Sequence, residues 1–283
     1  VFLTKFKSGI IAAGLVCVCA GLFAGARHTG WLEQDSSPLG MLARAVYGPD
    51  VRREEKRLAM VREISPEIPR ITALCYHEVN PDRPQDSLNV EPEVFRRHIR
   101  EFKEAGFAFI HVGDLQQCIR GRAPLPERAV LITFDDGYAD NYRYAYPILR
   151  QEQVPGTFFV VSATVGKENR MTRSQLREMQ AHGMEIASHT VHHENLSVMG
   201  QEELEMELRD SKMYLETLLG KPVCALAYPC GKADRAVREM AKKYYALAFL
   251  SSVAPEKKQT LYTLQRYGVF HWNEHIESIF KNR

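Results

Sequence analysis

From Ile71 to the carboxyl end, short apolar runs alternate with amphipathic helical patterns, and that alternation limits the folds open to the chain. The runs lie at residues 71–76, 107–110, 129–134, 156–161, 184–187, 223–228 and 246–250, each apolar almost throughout rather than at every second position. Strands of that kind are buried on both faces, which calls for a parallel sheet covered by helices. Helical patterns fall between them at 92–105, 139–151, 173–182, 202–219 and 233–243. The clearest places Leu204, Leu208, Ser211, Leu215 and Leu218 on one face and stops at Gly220, with Pro222 beyond it. About seven such repeats make an α/β fold whose sheet closes as a distorted (β/α)7-type barrel over residues 71–283. In barrels of this type chemistry gathers at the carboxyl ends of the strands.

The part before the alternation reads as targeting and spacing. Lys5 and Lys7 precede an uncharged apolar run from Gly9 to Ala26, the plan of an export signal. At about 18 residues the run sits at the lower limit for spanning a bilayer, and Ala24-Gly25-Ala26 resembles a small-residue cleavage site. Residues 1–26 therefore fit either a signal peptide or a signal anchor, and Cys17 and Cys19 lack a lipobox. Residues 27–70 are polar and mixed in charge, as in a stalk or linker. The domain is expected outside the cytoplasm, periplasmic or secreted, and held to the inner membrane only if the segment stays uncleaved. A net charge of +2 with acids and bases interspersed excludes a nucleic-acid footprint. Cys75, Cys118, Cys224 and Cys230 have neither CxxC nor zinc-ribbon spacing, and buried free thiols are expected.

The strand ends carry an unusual set of side chains. In order they read Tyr76-His77-Glu78, Asp135-Asp136-Gly137, Ser188-His189-Thr190-Val191-His192-His193 and Tyr228-Pro229-Cys230-Gly231. Adjacent Asp135 and Asp136 repel when both are ionised unless a cation or a catalytic proton lies between them. Asp-Gly is also a common turn dipeptide, but histidines at neighbouring strand ends weigh against a mere turn. His189 and His193 are four apart, so a helical turn between them brings both rings to one side. Two histidines and a carboxylate can hold a divalent ion and leave a position open for water, as in catalytic zinc sites. His192, three from His189, is the competing ligand.

Thr133-Phe134-Asp135-Asp136-Gly137, His189-Thr190-Val191-His192-His193 and Ala227-Tyr228-Pro229-Cys230-Gly231 together resemble the polysaccharide deacetylases, the NodB-homology or carbohydrate esterase family 4 proteins. The resemblance covers about residues 71–270. Leu74-Cys75-Tyr76-His77-Glu78-Val79, followed by Pro92-Glu93-Val94-Phe95, is similar to the subgroup that includes the poly-β-1,6-N-acetylglucosamine N-deacetylases. The resemblance implies a hydrolase that removes N-acetyl groups from an acetylated aminosugar polysaccharide by attack of a water activated on a divalent metal. Zinc is the default, and cobalt or nickel suits the same ligands. It assigns the metal to Asp136, His189 and His193, the general base to Asp135, and an oxyanion donor to the Cys230 N–H. His77 is the candidate proton donor, with His271 as its rival. Position 227 is alanine where many members carry an arginine paired with the base, and Arg266 is the candidate replacement. Tyr138, Tyr228, Pro229 and Cys230 are expected to contact substrate, and Trp272 is a weaker groove candidate. The same chemistry serves an O-acetyl esterase or another amidohydrolase, and a catalytically silent glycan-binding protein is the non-enzymatic alternative.

Overall fold

A computed structural model describes residues 71–251 and 259–281. The export segment and the stalk expected before Ile71 lie outside these residues. Among the described residues no helix is long and apolar enough to cross a membrane.

The apolar runs form an eight-stranded parallel sheet. It contains β1 (Ile71–Tyr76), β4 (Ala108–Ile110), β5 (Ala129–Phe134), β6 (Thr157–Val160), β7 (Glu185–Ser188), β8 (Ala225–Ala227), β9 (Leu247–Phe249) and β10 (Tyr267–Gly268). The order is β10-β1-β5-β6-β7-β8-β9. β5 pairs along its whole length with β1, while its other edge is shared by β4 and then β6. Two further strands, β2 (Glu78–Val79) and β3 (Asn89–Val90), pair with each other beside the end of β1. No continuous ladder joins β9 to β10. The gap is spanned by residues 261–268, which bond to β9 through Leu261 and Leu264 and then to β1 through Tyr267 and Gly268.

Alternation along the strands splits the core into two layers. Leu74, Tyr76, Val130, Ile132, Phe134 and Phe158 point outward to the helices. Ala73, Ala129, Leu131, Phe159, Ala187, Ala225, Ala227 and Phe249 point into the barrel. The inner set is rich in alanine, which leaves room at the upper end for larger polar groups. Cys75, Thr133, Asp135 and His189 continue this inward register, so strand periodicity itself delivers them to one mouth.

The helices are α1 (Pro92–Glu104), α2 (Val112–Ile119), α3 (Tyr146–Gln151), α4 (Arg173–Ala181), α5 (Gln201–Leu219), α6 (Arg235–Tyr244) and α7 (Ile276–Lys281). α5 ends as its sequence implies: Gly220 takes a left-handed conformation, φ +67°, and its N–H bonds the Glu216 carbonyl. The helix expected over 139–151 is broken, since a wide π turn at Asn141–Ala145 precedes α3. α2 was not anticipated. It buries only Val112 and Leu115, too few for a visible stripe, and a reciprocal cap between His111 and Asp114 starts it. The four cysteines are free as expected, but only Cys75 is fully buried and Cys230 is exposed.

One buried histidine ties α1 to the rest of the domain. His98 is 1% exposed, its Nδ1 lies 3.0 Å from the Tyr76 hydroxyl and its Nε2 2.7 Å from the Asn273 carbonyl. Burial pushes its pKa down to about 4, against an ordinary value of 6.5. The folded state thus prefers the neutral ring, and this preference is intact above pH 6.5 and lost as pH falls from 6.5 toward 4. The loss amounts to about 3 kcal/mol. Urea unfolding at pH 7.5 and 4.5 should show it, and His98→Gln, which takes no proton, should flatten that part of the difference.

Candidate active site

Asp135 follows the last residue of β5 and is 3% exposed. A carboxylate this buried requires compensation, and Arg266, 0% exposed, provides it. The guanidinium donates two parallel bonds, Nη1 to Oδ1 at 2.6 Å and Nη2 to Oδ2 at 2.7 Å. It is held in turn by the Thr133 hydroxyl at 3.0 Å and the Leu250 carbonyl at 3.3 Å, and lies over the Phe159 ring. Ala227 faces the same interior. The charge expected at position 227 therefore arrives from the segment that closes the sheet. The Cys75 thiol adds a bond to Oδ2 at 3.3 Å. Burial alone would raise the Asp135 pKa, but the charge of Arg266, then that of His189, hold it well below the usual carboxylate range.

Asp136 has φ +71°, a left-handed conformation, and Gly137 repeats it at +71°. This sharp turn sends the two carboxylates in different directions. Asp135 points to Arg266, and Asp136 turns to the histidines. Asp136 Oδ1 stands 3.4 Å from His189 Nε2 and 3.3 Å from His193 Nε2. The Nδ1 of His189 lies 2.8 Å from the Ala227 carbonyl, so Nδ1 carries the proton and Nε2 keeps its lone pair toward Asp136. Burial disfavours a charge on His189, yet Asp135 and Asp136 raise its pKa overall, which marks a point of negative potential.

The two histidines meet by another route than the helical turn expected from their spacing. Residues 189–193 form an irregular loop in which Thr190 and His193 are left-handed, φ +66° and +65°. The Thr190 hydroxyl accepts the His193 N–H at 3.1 Å, and the Ser188 hydroxyl accepts the Thr190 N–H at 3.2 Å. His192 turns away from the site, its Nδ1 lying 2.5 Å from Glu207 Oε1.

Asp136, His189 and His193 fit a divalent cation. Ligand atoms about 2.0–2.2 Å from a tetrahedral zinc stand roughly 3.3–3.5 Å apart, as the Asp136 oxygen stands from both histidine nitrogens. One carboxylate and two imidazoles from two strand ends leave further positions for water and substrate. A second set of potential ligands, Cys75, His77 and Asp135, lies alongside. It fits poorly, because the guanidinium of Arg266 on Asp135 repels a second cation there and burial pushes the Cys75 thiol well above its ordinary pKa.

His77 sits at the end of β1 with a ring nitrogen near Cys75 and Asp135. Its carbonyl is held by the Asn141 side chain at 2.8 Å, and its buried Nδ1 has no hydrogen-bond partner. His271 is exposed, packed edge-on against the exposed Trp272, and its N–H reaches the Ser87 carbonyl. The loop 80–89 beside His77 is fastened by Arg83, which donates to Glu78 and Asp86, and by Asn89, which bonds the carbonyls of Asn80 and Arg83.

The expected substrate contacts are only partly available. Tyr138 follows the Asp-Asp-Gly turn, but Arg170 covers one face of its ring at 4.0 Å. Tyr228 corrects the expectation, since its side chain is 1% exposed and belongs to the main core. Pro229 is buried as well. Cys230 is what this segment presents, exposed and left-handed at φ +55°. The turn's own bonds run from Gly231 and Lys232 N–H to the Tyr228 and Pro229 carbonyls, so the Cys230 N–H lies outside them.

Three positions not assigned to the site belong to its surroundings: Cys75, Asn141 and Glu207. The sequence does carry a signal for Glu207. It lies three residues after Leu204 and four before Ser211, which places an acid on the buried face of α5.

The pairing of Asp135 with Arg266 gives a direct expectation for stability. Arg266→Met should cost about 3–5 kcal/mol, since it leaves a buried carboxylate without its counter-charge. Urea denaturation near neutral pH measures it, and an unchanged midpoint would show that water reaches Asp135.

Comparison with known proteins agrees with this geometry. Residues 122–247 match the family model described as polysaccharide deacetylase. A Staphylococcus aureus poly-β-1,6-N-acetyl-D-glucosamine N-deacetylase is 32% identical over 159 residues, which are 51% of this chain and 54% of that protein. The chain thus spans about half the length of that relative. A Streptococcus pyogenes deacetylase solved with acetate superposes with a TM-score of 0.66 at 27% identity, covering 71% of this chain and 93% of that one. A Bacillus cereus polysaccharide deacetylase gives 0.63 at 25% identity, covering 71% and 65%. The matched span holds both aspartates and both facing histidines on the same parallel half-barrel: residues 122–247 match the polysaccharide deacetylase model, and the described domain shares the fold of solved deacetylases.

Proposed function

We propose that this domain removes N-acetyl groups from an extracytoplasmic aminosugar polysaccharide, with a divalent metal, zinc by default, held by Asp136, His189 and His193. The observation that carries the reading is the division of labour between adjacent carboxylates. Asp136 faces two histidine nitrogens at 3.3 and 3.4 Å, while Asp135 is locked onto Arg266. The name of the S. aureus relative supports an amide in an N-acetylglucosamine polymer as the bond cleaved. The apolar segment after Lys7 supports a location outside the cytoplasm.

A cation at this position supplies Lewis acidity to the attacking water and to the acetyl carbonyl. The chain's own groups do the rest. Asp135, kept ionised by Arg266, takes the proton as the water oxygen attacks the carbonyl carbon. Each of its oxygens has more than one lone pair, so the bonds from Arg266 and Cys75 leave capacity for that proton. The Cys230 N–H, not used by its own turn, donates to the oxygen that gains charge. When the C–N bond breaks, the sugar amine leaves with a proton from His77, and acetate and a free amine result. His77 has the better position for this role than His271, because its ring lies beside Asp135 whereas His271 packs on the surface with Trp272.

Acetate release from poly-β-1,6-N-acetylglucosamine, peptidoglycan, chitooligosaccharides and acetylated xylan, assayed side by side on metal-loaded protein, tests the reading. Release from an N-acetylated polymer is expected. Release from xylan alone would make the protein an O-acetyl esterase, and none at all would make it a glycan-binding protein. The donor is tested separately by His77→Ala. An amide needs protonation of its leaving nitrogen, whereas an activated aryl acetate does not. The variant should therefore lose roughly 10²–10⁴-fold on the amide and much less on the aryl ester. Equal losses on both would remove His77 from the donor role.

A further inference from the structure

We propose that Glu207 on α5 is the positioning residue that selects His193 over its neighbour His192 for the metal set. The inference rests on the reading that Asp136, His189 and His193 hold the cation.

His192 and His193 are consecutive, and the loop that carries them has no regular structure to decide which ring faces Asp136. Glu207 provides the decision. Its carboxylate is 5% exposed, and one oxygen, Oε2, accepts two backbone donors, the Val191 N–H at 2.9 Å and the His192 N–H at 3.0 Å. The other oxygen, Oε1, engages His192 Nδ1 at 2.5 Å. Three bonds thus draw residues 191 and 192 toward α5, and His193 is left pointing the opposite way, 3.3 Å from Asp136.

The conformation these bonds maintain is a costly one. Thr190 and His193 flank the anchored pair and both are left-handed, which non-glycine residues adopt only when their surroundings enforce it. Anchors stand on both sides. Ahead of the loop, the Ser188 hydroxyl meets Ser211 on α5 at 2.8 Å and the Tyr245 hydroxyl at 2.9 Å. Within it, Glu207 holds the two residues between the strained positions. A buried acid on a helix face it shares with Leu204, Leu208, Leu215 and Leu218 costs desolvation energy. Here it finds three donors, all from the loop that carries His189 and His193.

The test is Zn²⁺ affinity by chelator competition, together with the absorption spectrum of the Co²⁺ form, which reports the ligand set. Glu207→Gln keeps the size but removes the charge: its carbonyl oxygen can still accept the Val191 and His192 N–H groups, while its N–H₂ replaces the oxygen that faces His192 Nδ1. It should weaken Zn²⁺ binding by about 10–100-fold, the usual effect of losing an outer partner, and alter the Co²⁺ spectrum. Glu207→Asp keeps the charge but is one methylene too short to reach all three donors, and it should give a smaller loss of the same kind. It also carries the test if Glu207→Gln does not fold. Wild-type affinity and spectrum in either folded variant would overturn the proposal. Wild-type protein that binds no Zn²⁺ would overturn it together with the metal reading. Wild-type protein that binds Zn²⁺ but releases no acetate would defeat the proposed reaction and leave the Glu207 result as support.

Discussion

Alanine at Asp136, at His189 or at His193 should each abolish metal content and activity together. In the proposed metal set each residue supplies one of three protein donors, and the remaining two would hold a divalent ion weakly in competition with water. The expected loss of affinity lies well beyond the roughly 10–100-fold caused by removing an outer partner. His189 should be the most severe case. Its ring is 2% exposed and its orientation is fixed by the bond to the Ala227 carbonyl. His193 is more accessible, but it stands on a left-handed residue whose position the loop dictates. Metal analysis of the three purified variants is the check. Full retention in any one of them would take that residue out of the ligand set, and retention in all three would place the cation elsewhere.

Asp135→Asn should leave metal binding largely intact and lower kcat/KM by about 10²–10⁴-fold, the range typical of general acid–base catalysis. The geometry adds a second consequence. Arg266 is fully buried and Asp135 is the only carboxylate it bonds among the described residues, so the asparagine leaves a guanidinium without its counter-charge. The variant should therefore be less stable as well as slower. The two effects separate in the double variant Asp135→Asn, Arg266→Met, because replacing both members of a buried pair restores much of what removing one costs. Stability should recover in the double variant while activity stays low. If activity returned with stability, Asp135 would have a structural role only, and the proposed base would have to be another group.

Most of the framework is legible in the amino-acid order because strands buried on both faces are apolar without interruption. Residues 129–134 read as a strand and form one with the same ends. Where a run continues into a loop the reading extends too far: 223–228 shrinks to Ala225–Ala227, since Tyr228 begins the turn that displays Cys230. Pairs such as Glu78–Val79, Asn89–Val90 and Tyr267–Gly268 are too short to carry a period, and only their neighbours make them strands. The aspartates and histidines at the mouth are visible because a parallel barrel brings every strand end to the same side. The loop geometry is not visible, since the left-handed Thr190 and His193 depend on hydroxyl bonds within the loop together with the anchor from Glu207, a combination that residue type alone does not announce. The opposite error befell Tyr228. An aromatic residue after a strand suits a groove and a core equally well, and burial decided for the core.

The segment that bridges β9 and β10 also sets an order of events in biosynthesis. The ribosome makes Asp135, Asp136, His189 and His193 long before Arg266, which lies 131 residues after Asp135. A nascent chain released only as far as β9 already contains every proposed metal ligand, but its innermost carboxylate still lacks a counter-charge, and the sheet has an unsealed edge. The last strand, paired with β1, comes from the same stretch of chain as the guanidinium, so the residues that extend the sheet also neutralise the buried carboxylate. A chain cut short after β9 would lose both at once.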